Sequence, residues 1–127
     1  MSGKLPEIAV AEWLADQSAA MFADALPAVV RARAEELLID VIGLCVAARK
    51  EDYIERALAA CDEKGGCTAI GHRRTLTAAD AAFINGTAAH GEDFDDTFEG
   101  GPVHAGAVIV PAVLAACERH RCAWRGF

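Results

Sequence analysis

Apolar residues recur along most of this chain at the three- and four-residue spacing that lines one face of a helix. Val10, Trp13, Leu14 and Met21 share such a face, with Gln17 its one polar member, and Pro6 sits at a first-turn position, so a helix is predicted over 7–22. Pro27 opens a second helix reaching to about residue 48. Its first half is two-sided, with Val30, Ala34, Leu37, Leu38 and Val41 opposite Arg31, Glu35 and Glu36. Its second half, 41–48, has no polar side and is expected to be buried all round. A third helix over 52–64 starts with acids, buries Ile54, Ala57, Leu58 and Cys61, and stops at Gly65-Gly66.

Residues 67–70 are apolar and short, as a strand would be. Thr77 followed by Asp80 has the form of a capping box, opening a helix over 78–89. A polar loop, 91–103, precedes a last apolar helix over 105–120. There Pro111 must either kink the helix or begin a fresh one. The expected fold is all-α, with five helices and at most one short strand. Segments 41–48 and 107–114 are expected to be buried, with the acidic loop at a concave surface.

Composition narrows the class. The 127 residues suit one domain, and the 54% apolar content is enough to bury a core with surface left over for a partner. Aromatics are only 6%, so Ala must supply much of that core through close helix packing. A net charge of −7 argues against nucleic acid, which requires a basic face. The 13 apolar residues of 105–117 are too few to span a membrane and contain Pro111, and the N-terminus has no signal-peptide core. Five cysteines, odd in number and without a CxxC pair, point to free thiols in a reducing compartment, the cytoplasm, and away from structural zinc.

Chemistry concentrates in one place. Residues 90–104 read HGEDFDDTFEGGPVH, with five carboxylates among fifteen residues and a histidine at each end. Asp93 to Thr97 fits the DxDxT of aspartyl phosphotransferases, but 84–92 is not the buried strand that nucleophile needs. Asp95 to Glu99 fits the magnesium motif of terpene synthases, yet 127 residues cannot enclose a prenyl tail. An EF-hand fails because Phe98 occupies its glycine position.

A longer pattern takes in more. Ala82-Phe83-Ile84-Asn85-Gly86, then His90, Asp93-Phe94-Asp95-Asp96-Thr97, then His104-Ala105-Gly106-Ala107 with Pro111 four residues on, resembles the MmgE/PrpD family. The resemblance extends to Asp40-Val41-Ile42-Gly43 and spans most of 7–118. That family includes 2-methylcitrate dehydratase, cis-aconitate decarboxylase and iminodisuccinate epimerase. It implies that residues 1–127 form the family's N-terminal helical domain, truncated before the C-terminal α+β domain. The implied activity is that of a lyase needing neither metal nor organic cofactor, acting on a small di- or tricarboxylate as a homodimer.

The resemblance places Asp93 and His104 in the catalytic machinery, with Thr97, Asp93 and His104 in contact with substrate. The roles suit the side chains. Thr97 can donate a hydrogen bond to a carboxylate. His104 can carry a proton during elimination. Asp93 beside a polyanion must be protonated, or turned toward a histidine or water that it orients. Asp95 and Asp96 are expected to cap or to accept backbone N–H groups, and His90 to answer a helix dipole. Arg73 and Arg74 read as a solvated pair, and Asn85-Gly86 as a close helix crossing or a local break.

Two departures stand out. Ala105 replaces the family's proline after the histidine, and 119–127 does not continue the family pattern. The positive side chains that gather a polycarboxylate are missing from 90–104, so the chain by itself is expected to be inactive. The competing reading is a non-catalytic helical module that pairs with itself or with a partner.

Overall fold

The computed structural model describes residues 9–22, 25–61 and 64–122. The chain divides into two compact units, residues 1–33 and 34–127.

In the first unit, helix α1 (Val10–Ala19) is shorter than the spacing predicts. It closes with Ala20 N–H on Asp16 O at 3.0 Å and a tighter Met21 N–H to Ser18 O bond at 3.2 Å, which together end the helix. Val10, Trp13 and Leu14 remain exposed. The part of the predicted helix before Ala9 lies outside the described residues. Helix α2 (Ala28–Ala48) starts where Pro27 was expected to start it; the Pro27 carbonyl accepts from Val30 and Arg31.

The second unit holds the rest. The later half of α2 buries Val41, Cys45 and Ala48, whereas Ile42 and Val46 are exposed. The expectation of all-round burial therefore fails for 41–48: the helix packs on one side only. Helix α3 (Asp52–Ala59) ends well before residue 64. Lys64 belongs instead to strand β1 (Lys64–Thr68), which pairs antiparallel with β2 (Thr75–Leu76). The fold thus has two short strands where at most one was expected.

The two glycines explain the difference. Lys64 and Cys67 both pair with Leu76, so Gly65 and Gly66 form a bulge. A Cβ on Gly65 would run into the Leu76 carbonyl, which makes the pairing possible only for glycine there.

Helix α4 (Ala78–His90) begins as its capping box predicts. The Thr77 hydroxyl accepts from Asp80 N–H at 3.2 Å and donates to Asp80 Oδ2 at 2.8 Å. Helix α5 (Ala105–Arg119) runs through Pro111 as one helix. Pro111 has no N–H for Ala107 O, and that carbonyl lies 3.0 Å from where a Cβ of Gly86 would stand. Asn85-Gly86 therefore marks a close crossing of α4 and α5, not a break.

Asn85 fixes this crossing to the hairpin. Its buried side chain accepts from Ile70 N–H at 2.8 Å and donates to Thr68 O at 2.9 Å, while its carbonyl accepts from Cys45 Sγ at 3.1 Å. The core around it is rich in small residues: Ala48, Ala69, Ala81, Ala88, Ala89, Ala107 and Ala115, with Val41, Ile54, Leu76 and Ile84 as its large members. In α5, Ala107 and Pro111 are buried but Val108, Ile109 and Val113 are exposed, a second one-sided helix where full burial was expected. No helix among the described residues is long and apolar enough to cross a membrane.

The bulge yields a paired test. Gly65→Ala pushes a methyl into the Leu76 backbone and should cost about 2 kcal/mol in urea unfolding, within the usual range for overpacking. Gly66, which has open space at its Cβ position, should change by less than about 0.5 kcal/mol on substitution by Ala. Equal losses at both positions would show that the hairpin is not what the glycines serve.

Candidate functional site

The acidic loop begins at the last residue of α4 and ends at the first cap of α5, so the α4–α5 crossing sets where its two histidines meet. His90 closes α4 and His104 is the N-cap of α5. Their rings stand 4.7 Å apart, centre to centre, at 59°.

Between them lies Asp95. Its side chain is 0% exposed, the one carboxylate of the loop that is fully removed from water. His90 Nδ1 meets its two oxygens at 3.1 and 3.2 Å. His104 Nδ1 lies 3.2 Å from Asp95 Oδ1. The nitrogen is itself buried, but its direction misses that of a hydrogen bond, so the two groups are close without being bonded. A carboxylate can only accept, which favours an imidazole that carries its proton on Nδ1 and offers Nε2 outward.

The outward His104 Nε2 faces Asp93, whose Oδ1 is 3.7 Å away and whose side chain is largely exposed. Asp93 has φ 57°, a left-handed conformation that Asp tolerates better than most residues, and its N–H closes a turn onto His90 O at 2.9 Å. Asp93 thus lies beside a histidine, one of the arrangements the sequence left open for it. Thr97 sits exposed further along the loop and makes none of the hydrogen bonds among the described residues. Of the three residues singled out in advance, Asp93 and His104 are brought together and Thr97 is not.

Asp96 behaves as expected. Its Oδ1 accepts Gly106 N–H at 2.9 Å, capping α5 in place of a side chain on His104, which makes no cap bond. A Cβ on Gly106 would meet this carboxylate and the end of the Leu37 side chain, so a larger residue there would have to displace the cap. Asp95 departs from expectation: it caps nothing and holds two imidazoles. Its distinguishing signal, burial between two histidines fourteen residues apart, depends on the crossing and is invisible to local pattern.

Arg74 is not a solvated cation; its Nη1 donates to Leu58 O at 2.7 Å, while Arg73 is exposed. Clefts of about 380 Å3 and about 610 Å3 mark this unit, and neither is lined by the loop, so the concave setting expected for it is not found in them. His90, Asp93, Asp95 and His104 each offer a donor atom within 4.8 Å of the others, a set able to hold a divalent ion.

The loop is also tied to α3. Tyr53 Oη donates to Glu92 Oε1 at 3.0 Å, and Gly91 leaves room for the ring. Desolvation, then the bond to Glu92 and the charges of Glu92 and Glu51, push the Tyr53 phenol up to about 12. The folded value exceeds the unfolded one, near 10, so its contribution to stability is intact below pH 10 and is lost as pH rises toward 12. Tyr53 is the only tyrosine, so absorbance at 295 nm reads it directly. A midpoint near 12 is expected, moving back toward 10 in Glu92→Gln; an unmoved midpoint in that variant would separate the loop from α3.

The family model for the MmgE/PrpD N-terminal domain matches residues 11–123. The cis-aconitate decarboxylase-like protein oryM of Aspergillus oryzae is 33% identical over 96 residues, covering 73% of this chain and 20% of that protein. Cis-aconitate decarboxylase of Aspergillus terreus is 32% identical over 99 residues, covering 75% of this chain and 20% of the enzyme. The chain therefore spans about a fifth of the length of these relatives. No solved structure matches it. With nearly all of its described residues inside the family model, and with His104, Asp93 and Asp95 gathered at one helix crossing, the chain belongs to the MmgE/PrpD family as an N-terminal domain.

Proposed function

We propose that this chain is the helical N-terminal part of a cofactor-independent lyase acting on small di- and tricarboxylates, with His104 its proton carrier. The observation that carries this reading is the placement of one imidazole between two carboxylates, Asp95 buried behind Nδ1 and Asp93 exposed before Nε2. A decarboxylation releases CO2 and leaves a carbanion that must be protonated. A dehydration instead needs a proton removed beside a carboxylate. An imidazole held from behind and open in front suits either step. The names of the relatives favour decarboxylation of a cis-aconitate-like substrate over dehydration of a 2-methylcitrate-like one.

Asp93, Thr97 and His104 then divide the work. Thr97 presents a neutral hydroxyl to a substrate carboxylate. Asp93, turned toward His104, stabilises a protonated imidazole, and Asp95 positions the ring from the opposite side. No metal is required by this scheme, so chelation with EDTA should leave unchanged the turnover of the fusion with the Aspergillus terreus enzyme described below.

These residues do not make a whole site. Residues 90–104 hold five acids and no Lys or Arg, so a tricarboxylate is repelled there unless cations come from elsewhere. The purified 127-residue chain should show no measurable turnover of cis-aconitate or 2-methylcitrate. Residues 10–118, joined to the remaining portion of the Aspergillus terreus enzyme, should regain decarboxylation. In that fusion His104→Ala should lower kcat about 10²–10⁴-fold, the usual cost of a positioned acid or base. Asp95→Asn should cost less and shift the pH profile. Robust turnover by the short chain, or an active fusion indifferent to His104→Ala, would overturn the assignment.

The remaining features support a homodimer in a reducing, cytoplasmic setting. All five thiols are free. Ile39, Val108, Ile109 and Val113 are more than half exposed, and apolar patches beyond a few hundred Å2 drive association. The same surface favours the second reading, a module that works by pairing alone. Size-exclusion chromatography at tens of micromolar should show a dimer or larger; a clean monomer would contradict both association readings and leave the lyase reading to the turnover assay.

A further inference from the structure

The five cysteines fall into two kinds. Cys45, Cys61 and Cys67 are buried, and each thiol points at a backbone carbonyl: Asn85 O at 3.1 Å, Ala57 O at 3.3 Å and Ala115 O at 3.4 Å. Burial pushes the Cys45 thiol up to about 11, so it behaves as a small apolar residue, not as a nucleophile. Cys117 and Cys122 are different. Cys122 is exposed and Cys117 is half-buried, and the backbone turn that ends α5 brings the two residues onto the same cleft.

The backbone explains why they meet. At the end of α5, Cys122 N–H donates to Cys117 O at 2.9 Å and Arg121 N–H donates to Glu118 O at 3.2 Å. This nested pair of bonds, with Arg121 left-handed at φ 49°, is a Schellman motif. In that motif the residue after the left-handed position folds back onto the residue five before it, where an apolar contact is usual. Here both places are cysteines. Arg121 stands where glycine is preferred, so the turn is held against some backbone strain. Both thiols also line the apolar cleft of about 610 Å3 beside Ile109, Val113 and Leu114.

We propose that Cys117 and Cys122 form a dithiol site for small hydroperoxides, closing reversibly to an internal disulfide at the C-terminus of α5. The exposed Cys122 thiolate attacks the peroxide oxygen, breaking the O–O bond; a sulfenic acid forms and water leaves, or the corresponding alcohol when the peroxide is an alkyl hydroperoxide. The Cys117 thiol then attacks the sulfenic sulfur, and the S–S bond forms as water departs. Two thiols are oxidised and one peroxide is reduced. Burial and the neighbouring Cys122 raise the Cys117 thiol above its ordinary range, which suits it to the resolving role and leaves first attack to Cys122. This inference does not depend on the lyase reading, since neither cysteine belongs to the His90–His104 loop.

The test uses the purified full chain, reduced and then exposed to one equivalent of hydrogen peroxide. Two of the five thiols should be lost to a thiol-reactive dye, in a yield independent of protein concentration, and should return with dithiothreitol. Trypsin cuts after Arg119 and Arg121, so the disulfide should appear in mass spectra as residues 75–119 joined to residues 122–125. In Cys117→Ser, dimedone should trap a sulfenic acid at Cys122; in wild type it should trap little. The Cys117→Ser variant exchanges one half-buried sulfur for oxygen near the end of one helix, and circular dichroism checks that it folds. Bridges between chains, thiol loss at Cys45, Cys61 or Cys67, or overoxidised Cys122 without the joined peptides would each overturn the proposal.

Discussion

The crossing of α4 over α5 is the constraint on which the rest of this unit depends. It requires two unusual residues to face each other. Pro111 withholds the N–H that Ala107 O would ordinarily accept, and Gly86 omits the side chain that would otherwise block that carbonyl. Such a close approach permits a Cα–H···O contact in place of the lost hydrogen bond, so the helix passes its proline without breaking. Because His90 ends one helix and His104 begins the other, the same crossing brings their rings to 4.7 Å. Asn85, next to Gly86, carries the constraint outward by bonding Thr68 at the end of β1 and Ile70 in the turn that follows it. Geometry at the acidic loop is thus inherited from helix packing fourteen residues of chain apart.

This dependence also explains what could be read from sequence and what could not. The capping box at Thr77–Asp80 was legible because it is local: four consecutive residues contain both partners. The start of α2 after Pro27 was legible for a similar reason, whereas Asn85-Gly86 could be read only as a close crossing or a local break, because the Ala107 carbonyl that decides between them lies 21 residues on. The hairpin was not, because Gly65 has meaning only against Leu76, eleven residues on, and Gly-Gly after an apolar helix reads more simply as a stop. Asp95 was misjudged for the same reason. Four acids of the loop are exposed or half-exposed and one is buried, and nothing within DFDDT marks which.

The buried carboxylate also softens the loop's worst electrostatic problem. Five acids in fifteen residues repel one another and any anion brought to them. Asp95 is enclosed by two imidazoles, Asp96 sits at the N-terminus of α5, where a negative charge is stabilised, and Glu92 accepts a hydrogen bond from the Tyr53 hydroxyl. Asp93 and Glu99 remain turned to solvent. The loop is therefore less hostile to a carboxylate substrate than its composition suggests, while still supplying no cation to attract one.

Apolar content was legible in amount but not in placement, and the cause lies in the size of the core residues. Half of the buried apolar residues among those described are alanines, and an alanine removes little surface from water. The larger aliphatics stand outside: Ile39 and Val108 are 72% and 71% exposed. Fully burying one such side chain stabilises by about 1.5–3 kcal/mol, more than any alanine of the core can contribute. Close helix packing and large apolar contacts have thus been separated in this unit, the first used within it and the second left at its surface. A partner that covered Ile39, Val108, Ile109 and Val113 would add apolar burial comparable to that of Val41, Ile54, Leu76 and Ile84, the four large residues that the unit buries for itself.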